Sequence, residues 1–413
     1  MARIAPAIAA ALLALAGCGA KDDAPGRVHG TTLTIYASVP LRGVSRVSGV
    51  ALVSGAELAL AQAHNRVGKY RLRLAVLDDA TIARGGWDPG QTTVNARTAV
   101  LDPTTIAYLG EMNSGASAVS IPPLNRAGIP QVSPTSSAVG LTAATAVTFP
   151  GEPQKYYPTG VRTFVRVVPN DTIQAIAQVR VQQSSGCRRT YVLNDGEGEV
   201  DGADAARSFE LAAQAAHLPV VGAQTYARQA LSYAALATGV AQTRPDCVLI
   251  SGDTESGAVR LTAQLAATMP DVKIFGSAGL AETSYINPEQ GGIPASIASR
   301  VVLTVPTLPL AELPASAHAF TAAYERRYGA VEPDSIFGYE AMSLLLSAID
   351  RATDRGTKPA VRSAVRAALF ATRGRRSVLG TYSIDRNGDT TLRRYGVYGI
   401  VDGQLVFREA ITA

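Results

Sequence analysis

A chain of 413 residues is too long for one ordinary core and implies two domains, while 47% hydrophobic and 17% charged residues exclude a disordered protein. The net charge of +5 comes from basic residues interleaved with acids, with no Lys/Arg run and no aromatic platform, so nucleic acid is excluded as a partner. Four scattered histidines, cysteines without metal-ligand spacing and the lack of a Gly-x-Ser-x-Gly elbow point to no metal, no cofactor and no enzyme.

Met1–Cys18 has one early cation, Arg3, and an apolar run Ile4–Ala16 too short to cross a bilayer, the shape of a signal peptide over residues 1–17. It ends in Leu15-Ala16-Gly17-Cys18, which resembles a bacterial lipoprotein box. That resemblance implies cleavage before Cys18, its lipidation, and an extracytoplasmic protein anchored to the bacterial cell membrane; the alternative is a plain secretory signal. Residues 18–30 then form a charged, apolar-poor tether.

Leu33–Val39 reads as a strand, and the spacing of Val53, Ala56, Leu60, Ala63 and Val67 predicts a helix over Gly49–Val67. Tyr70–Leu77 is a second strand, stopping at Asp78-Asp79, and Gln91–Leu101 is a helix closed by Asp102-Pro103. Ile106–Gly110 is a buried strand. Asn113-Ser114-Gly115 then opens a helix whose free N–H groups, dipole and Ser114 hydroxyl suit a carboxylate or another small anion. Strand Ile129–Val132 ends in a second hydroxyl cluster, Ser133-Pro134-Thr135-Ser136-Ser137. Ligands of open α/β sheets sit at this edge, so the two loops can converge on one small molecule; the alternative is two ordinary capped helix starts.

Phe164–Val168 is a further strand, after which Asp171 is the expected N-cap of a helix. A second alternation runs from Arg188–Leu193 to Lys273–Phe275, and Val301–Val305 is read as a strand returning to the first lobe. Gly196–Gly202 nearly mimics a dinucleotide fingerprint but spaces its last glycine one residue late, so it is read as a rim loop. Three helices (Pro314–Tyr328, Pro333–Ala352 and Pro359–Leu369) and three strands (Ser377–Ile384, Leu392–Val401 and Leu405–Arg408) close the chain. Asp385–Asp389 opens like a calcium loop but lacks the later Glu and is read as a turn. The predicted fold class is α/β: two doubly wound, Rossmann-like lobes joined by a multi-strand hinge. The N-terminal lobe comprises 31–165 with 302–376, and the C-terminal lobe 166–301 with 377–413. Cys187 and Cys247 each precede a strand, and those strands would be neighbours in a doubly wound lobe. Export permits a disulfide between them; the alternative is two buried thiols.

These features, in order, resemble the type I periplasmic solute-binding proteins of the leucine/isoleucine/valine-binding family. The resemblance is carried by Gly55-Ala56-Glu57-Leu58, Leu77-Asp78-Asp79, Tyr108-Leu-Gly110 with Ser114, and Gly128-Ile-Pro130 with Val132-Ser-Pro134. Phe164-Val-Arg166, Phe337-Gly-Tyr-Glu-Ala341 and Asp385-Arg-Asn-Gly-Asp389 complete it. It implies an extracytoplasmic receptor of an ABC importer, monomeric, holding an amino acid or related small polar carboxylate or amide between its lobes and handing it to a membrane permease. A lipoprotein sensor that reports ligand occupancy to a kinase or chemoreceptor is the alternative.

Carried over residue by residue, the resemblance places the ligand carboxylate at Ser114 and Gly115 and at Thr135, Ser136 and Ser137. Ser48 stands where an aromatic often stacks, and Gly252-Asp253-Thr254 should face the ligand without the usual aromatic. Ala278 replaces the acid that binds the α-ammonium, and the expected tyrosine near Val200 is missing. Asp253 could take over the ammonium contact, or merely cap the following helix. Phe337 or Ile336 is an apolar wall, or simply core.

Overall fold

The computed structural model describes residues 26–196 and 202–413. The expected lipidation site Cys18 and the altered position Val200 lie outside the described residues. In the first lobe, strands β1 (Thr32–Val39), β2 (Tyr70–Asp78), β3 (Thr105–Leu109), β4 (Gln131–Ser133) and β5 (Phe164–Arg166) form a parallel sheet in the order β2-β1-β3-β4-β5. Parallel neighbours need helical crossovers, and α1 (Arg46–Gln62), α2 (Pro89–Leu101) and α3 (Ser114–Arg126) supply them. Helices on both faces leave every residue of β3 buried, which is why Ile106–Leu109 is an unbroken apolar run.

The helix expected over Gly49–Val67 begins earlier, at Arg46, and stops at Gln62. His64 and Asn65 adopt left-handed φ values of 54° and 53°, and the chain turns into a short strand, Arg66–Val67, antiparallel to β2. Val67 therefore joins the core from a strand, a distinction that apolar spacing alone does not make. At the lobe crossing, Asn170 rather than Asp171 is the N-cap of α4 (Asp171–Ser184): the Asn170 side chain accepts the N–H of Thr172.

The second lobe continues with β6 (Thr190–Asn194), α5 (Gly202–Ala215), β7 (Val220–Thr225), α6 (Ala234–Gln242), β8 (Cys247–Ser251), α7 (Ala258–Thr268), β9 (Lys273–Gly276) and β10 (Val301–Val305). Its sheet runs β7-β6-β8-β9-β10 in parallel and is extended antiparallel by the C-terminal hairpin β11 (Arg394–Val401) and β12 (Gln404–Thr412). Two expectations are corrected here. Val301–Val305 pairs with β9 and β11, so it belongs to the second lobe and the chain crosses back only after it. Val378, Tyr382 and Ile384 pack into the first lobe's core, so the final crossing comes near Arg394 rather than at 377.

Between those crossings α8 (Ala315–Tyr328), α9 (Ser335–Ala352) and α10 (Arg362–Phe370) cover the first lobe. α1 and α9 meet backbone to backbone. A Cβ on Gly55 would lie 2.0 Å from the Ser335 carbonyl oxygen, and one on Gly338 would lie 2.0 Å from that of Leu52, so both positions require glycine.

Cys187 and Cys247 form a disulfide with a Cα–Cα distance of 5.8 Å, joining the lead-in to β6 to the first residue of its neighbour β8. The bond closes a loop with a sequence separation of 60. By chain entropy it restricts the unfolded state by about 4 kcal/mol. The Cys187→Ser, Cys247→Ser double variant is expected to unfold at clearly lower urea concentration, with an unchanged midpoint contradicting the assignment.

Candidate functional site

The C-terminal ends of β3 and β4 face those of β8 and β9 across the gap between the lobes, and a cavity of about 120 Å³ lies there. It has room for on the order of ten water-sized groups, the size of a small metabolite. Ser114, Thr135, Ser137, Gly252, Asp253, Ala278 and Phe337, all expected from the sequence, line it. Gly115, Ser136 and Ser48 do not.

Each exception has a local reason. Gly115 is buried inside the first turn of α3, behind Ser114. Ser136 donates to the Glu111 carbonyl at 3.0 Å and shares a hydrogen bond with Ser117 at 2.8 Å, so it braces the loop. Ser48 is buried on α1, and its hydroxyl favours the ionised form of the Asp334 carboxyl, which lines the cavity in its place.

On the first-lobe wall, the Ser114 oxygen accepts the N–H groups of Ser137 and Ala138, both at 3.1 Å. Those bonds tie the two hydroxyl loops together and leave the Ser114 proton for an acceptor in the cavity, beside the positive end of the α3 dipole. Thr135 lines the cavity but donates its hydroxyl to the Met112 carbonyl at 2.8 Å. Phe337 is 2% exposed and is both wall and core.

On the opposite wall, Asp253 makes no capping bond to the turn that follows it. Instead Asn113 Nδ2 donates to Asp253 Oδ2 at 3.0 Å, a bond that crosses from one lobe to the other. A Cβ at Gly279 would sit 2.1 Å from Asp253 Oδ1, so glycine at that position lets the carboxylate stand where it does. Gly140 N–H donates to Asp204 Oδ2 at 3.0 Å as a second bond across the gap, and the lobes are therefore closed on each other.

Sequence reasoning missed Asn113, Asp171, Glu282 and Asp334 as lining residues. In the sequence the first two stand at helix starts. Glu282 lies four residues beyond Ala278, which presents only a methyl group. With Asp253, three of these residues make four carboxylates around the cavity, and among the described residues no Lys, Arg or His lines it.

Burial raises all four carboxyls: Asp171 to about 6, Glu282 to about 8, and Asp253 and Asp334 above the usual range. Arg228 opposes part of this for Asp253 from behind the wall, where it pairs with Asp195 at 3.4 Å and Glu255 at 3.3 Å. Two buried acceptors lining the cavity, Asn113 Oδ1 and Glu282 Oε2, have no hydrogen-bond partner. Unpaired buried acceptors are costly, and these two belong to residues at the cavity.

The periplasmic binding protein family model matches residues 32–404. The fold is similar to that of the leucine-binding protein LivK of Thermotoga maritima, with TM-score 0.77, 21% identity, and coverage of 92% of this chain and 99% of that one. The branched-chain amino acid transporter substrate-binding protein LivJ of Streptococcus pneumoniae, solved with isoleucine, gives TM-score 0.75 and 19% identity over 92% of this chain and all (100%) of that one. A solute-binding protein of an ABC transporter from Rhodopseudomonas palustris, solved with p-hydroxybenzoic acid, gives TM-score 0.74 and 16% identity over 92% of this chain and 97% of that one. No curated protein matches the chain by sequence.

Proposed function

Since the chain belongs to the periplasmic binding protein family, a family of solute-binding proteins with this two-lobe fold, we propose that it is the lipid-anchored, monomeric receptor of an ABC importer and that its solute is a small α-amino acid. The observation that carries the reading is the pair of unpartnered acceptors, Asn113 Oδ1 and Glu282 Oε2, on residues of a cavity that four carboxyl groups and, among the described residues, no Lys, Arg or His line. An ammonium group supplies donors to acids such as Asp253 and Glu282, and the carboxylate on the same carbon reaches Ser114 and the α3 N-terminus. The structural neighbours were solved with both an amino acid and an aromatic acid. A bare carboxylate such as the latter would face four acids here with no cation, and the ammonium-bearing class is favoured for that reason. A solute touching both walls adds its binding free energy to the closed form, which is the form a permease can recognise. The Leu15-Ala16-Gly17-Cys18 stretch supports the anchor.

Calorimetry with a panel of α-amino acids tests this, each compared with the acid lacking the amine and the amine lacking the acid. The amino acid should bind at least tenfold more tightly than either fragment, and Ser114→Ala should weaken it at least tenfold. A deaminated acid that binds as tightly as its parent refutes the reading.

The pH dependence has a definite sign. A cation beside Glu282 stabilises the carboxylate, so binding expels the Glu282 proton whenever the pH is below about 8. Affinity therefore rises as pH goes from 6 to 8, by up to about tenfold per unit, and then levels off. Glu282→Gln should remove most of this slope, whereas a flat wild-type profile would show that Glu282 does not meet the ammonium.

A further inference from the structure

Next to the polar cavity lies a larger space of about 600 Å³, and the two meet at Ala281, Val305, Thr307 and Pro333, which line both. Its walls come from both lobes and mix apolar side chains with polar ones. Leu308 and Leu313 lie in the crossover after β10, Phe320 is on α8, Ile336 on α9, and Leu405 and Phe407 on β12. Thr283, Asn287, Thr321, Glu332 and the exposed Gln290 and Gln404 line it as well, so the apolar side chains make a continuous part of its surface rather than all of it.

We infer that the solute is bipartite: its ammonium-bearing head occupies the polar cavity, and an apolar substituent longer than the side chain of leucine runs past Thr307 into this chamber. The inference rests on the amino-acid reading above and adds the substrate class. Three observations carry it. The polar cavity, at about 120 Å³, is filled by the head and a few further atoms, so any longer group must leave it, and the shared Ala281, Val305 and Pro333 give it an apolar passage. The chamber has about five times that volume and presents side chains such as Phe320 and Ile336, 2% and 6% exposed, to whatever enters. Finally, α8 and α9 belong to the first lobe and β12 to the second, so a chain lying between them is buried only when the lobes are closed. The tail would thus favour closure by the same logic as the head.

The test is calorimetry of the wild-type protein with alanine, norleucine and 2-aminooctanoic acid, which share a head and differ in tail length. The dissociation constant should fall along the series, by up to roughly fourfold for each methylene buried in the chamber. Leu405→Trp, which fills the chamber from β12, should cancel the gain, with thermal melting confirming that the variant is folded. If 2-aminooctanoic acid binds no better than norleucine, the inference is overturned and the head-group reading stands. If none of the three binds the folded wild-type protein, the amino-acid reading falls and the inference falls with it.

Discussion

Asp253→Ala is expected to weaken binding of the proposed amino-acid solute roughly a hundredfold and to shift the protein toward an open form. Removing one partner of a buried, charge-bearing pair costs about 2–5 kcal/mol, much of it from the group left behind. Here that group is Asn113, whose Nδ2 donates to Asp253 across the gap at 3.0 Å and whose Oδ1 already lacks a partner. The residue therefore acts twice, as an acceptor on the acidic wall and as a latch between lobes. Asp253→Asn separates the two roles, because its side-chain carbonyl can still accept from Asn113 while the charge is gone. Calorimetry gives the affinities and small-angle scattering the compactness. Both variants should lose affinity, but only the alanine should widen the ligand-free protein. A dissociation constant within threefold of wild type for Asp253→Ala would remove this residue from the site.

The second large effect belongs to a residue that touches no solute. Arg166, at the end of β5, is 0% exposed. Its guanidinium donates to Asp389 Oδ1 at 2.7 Å, to the Ser136 and Ala138 carbonyls at 3.1 and 2.8 Å, and to the Thr142 hydroxyl. It is thus the support under the second hydroxyl loop, and the Asp385–Asp389 turn serves to bring its counter-ion. Arg166→Leu leaves a buried carboxylate and two carbonyls without their donor, and about 3–5 kcal/mol of stability should be lost. Replacing both charges, Arg166→Leu with Asp389→Leu, should restore much of that stability, because the desolvation cost of the pair goes with it. Urea unfolding distinguishes the outcomes, and a single variant within about 1 kcal/mol of wild type would contradict this account. The double variant should remain impaired in binding, since the loop holding Thr135 and Ser137 keeps no replacement for the guanidinium.

Local pattern was enough for much of this protein. The strand and helix alternation, the hydroxyl loops after β3 and β4 and the strands that bring Cys187 near Cys247 are all readable in a short window. Periodicity, turn chemistry and residue type act over a few residues. What lay beyond such windows was decided by pairing and burial between distant segments. β10 joins the second lobe because its backbone finds β9 and β11, not because of its own composition. Ser48 and Ser136 have the right chemistry for a ligand but spend it on Asp334 and on the Glu111 carbonyl. Asp171, Glu282 and Asp334 come from the first turn of α4, the stretch beyond β9 and the start of α9, and only closure of the lobes sets them around one cavity with Asp253. Their raised proton affinities follow from that crowding and burial, which depend on the fold as a whole. Two lobes and a pair of hydroxyl-bearing loops follow from local pattern, whereas the acidity around the cavity arises only on folding, because electrostatics at a buried site is set by distances that no stretch of chain encodes alone.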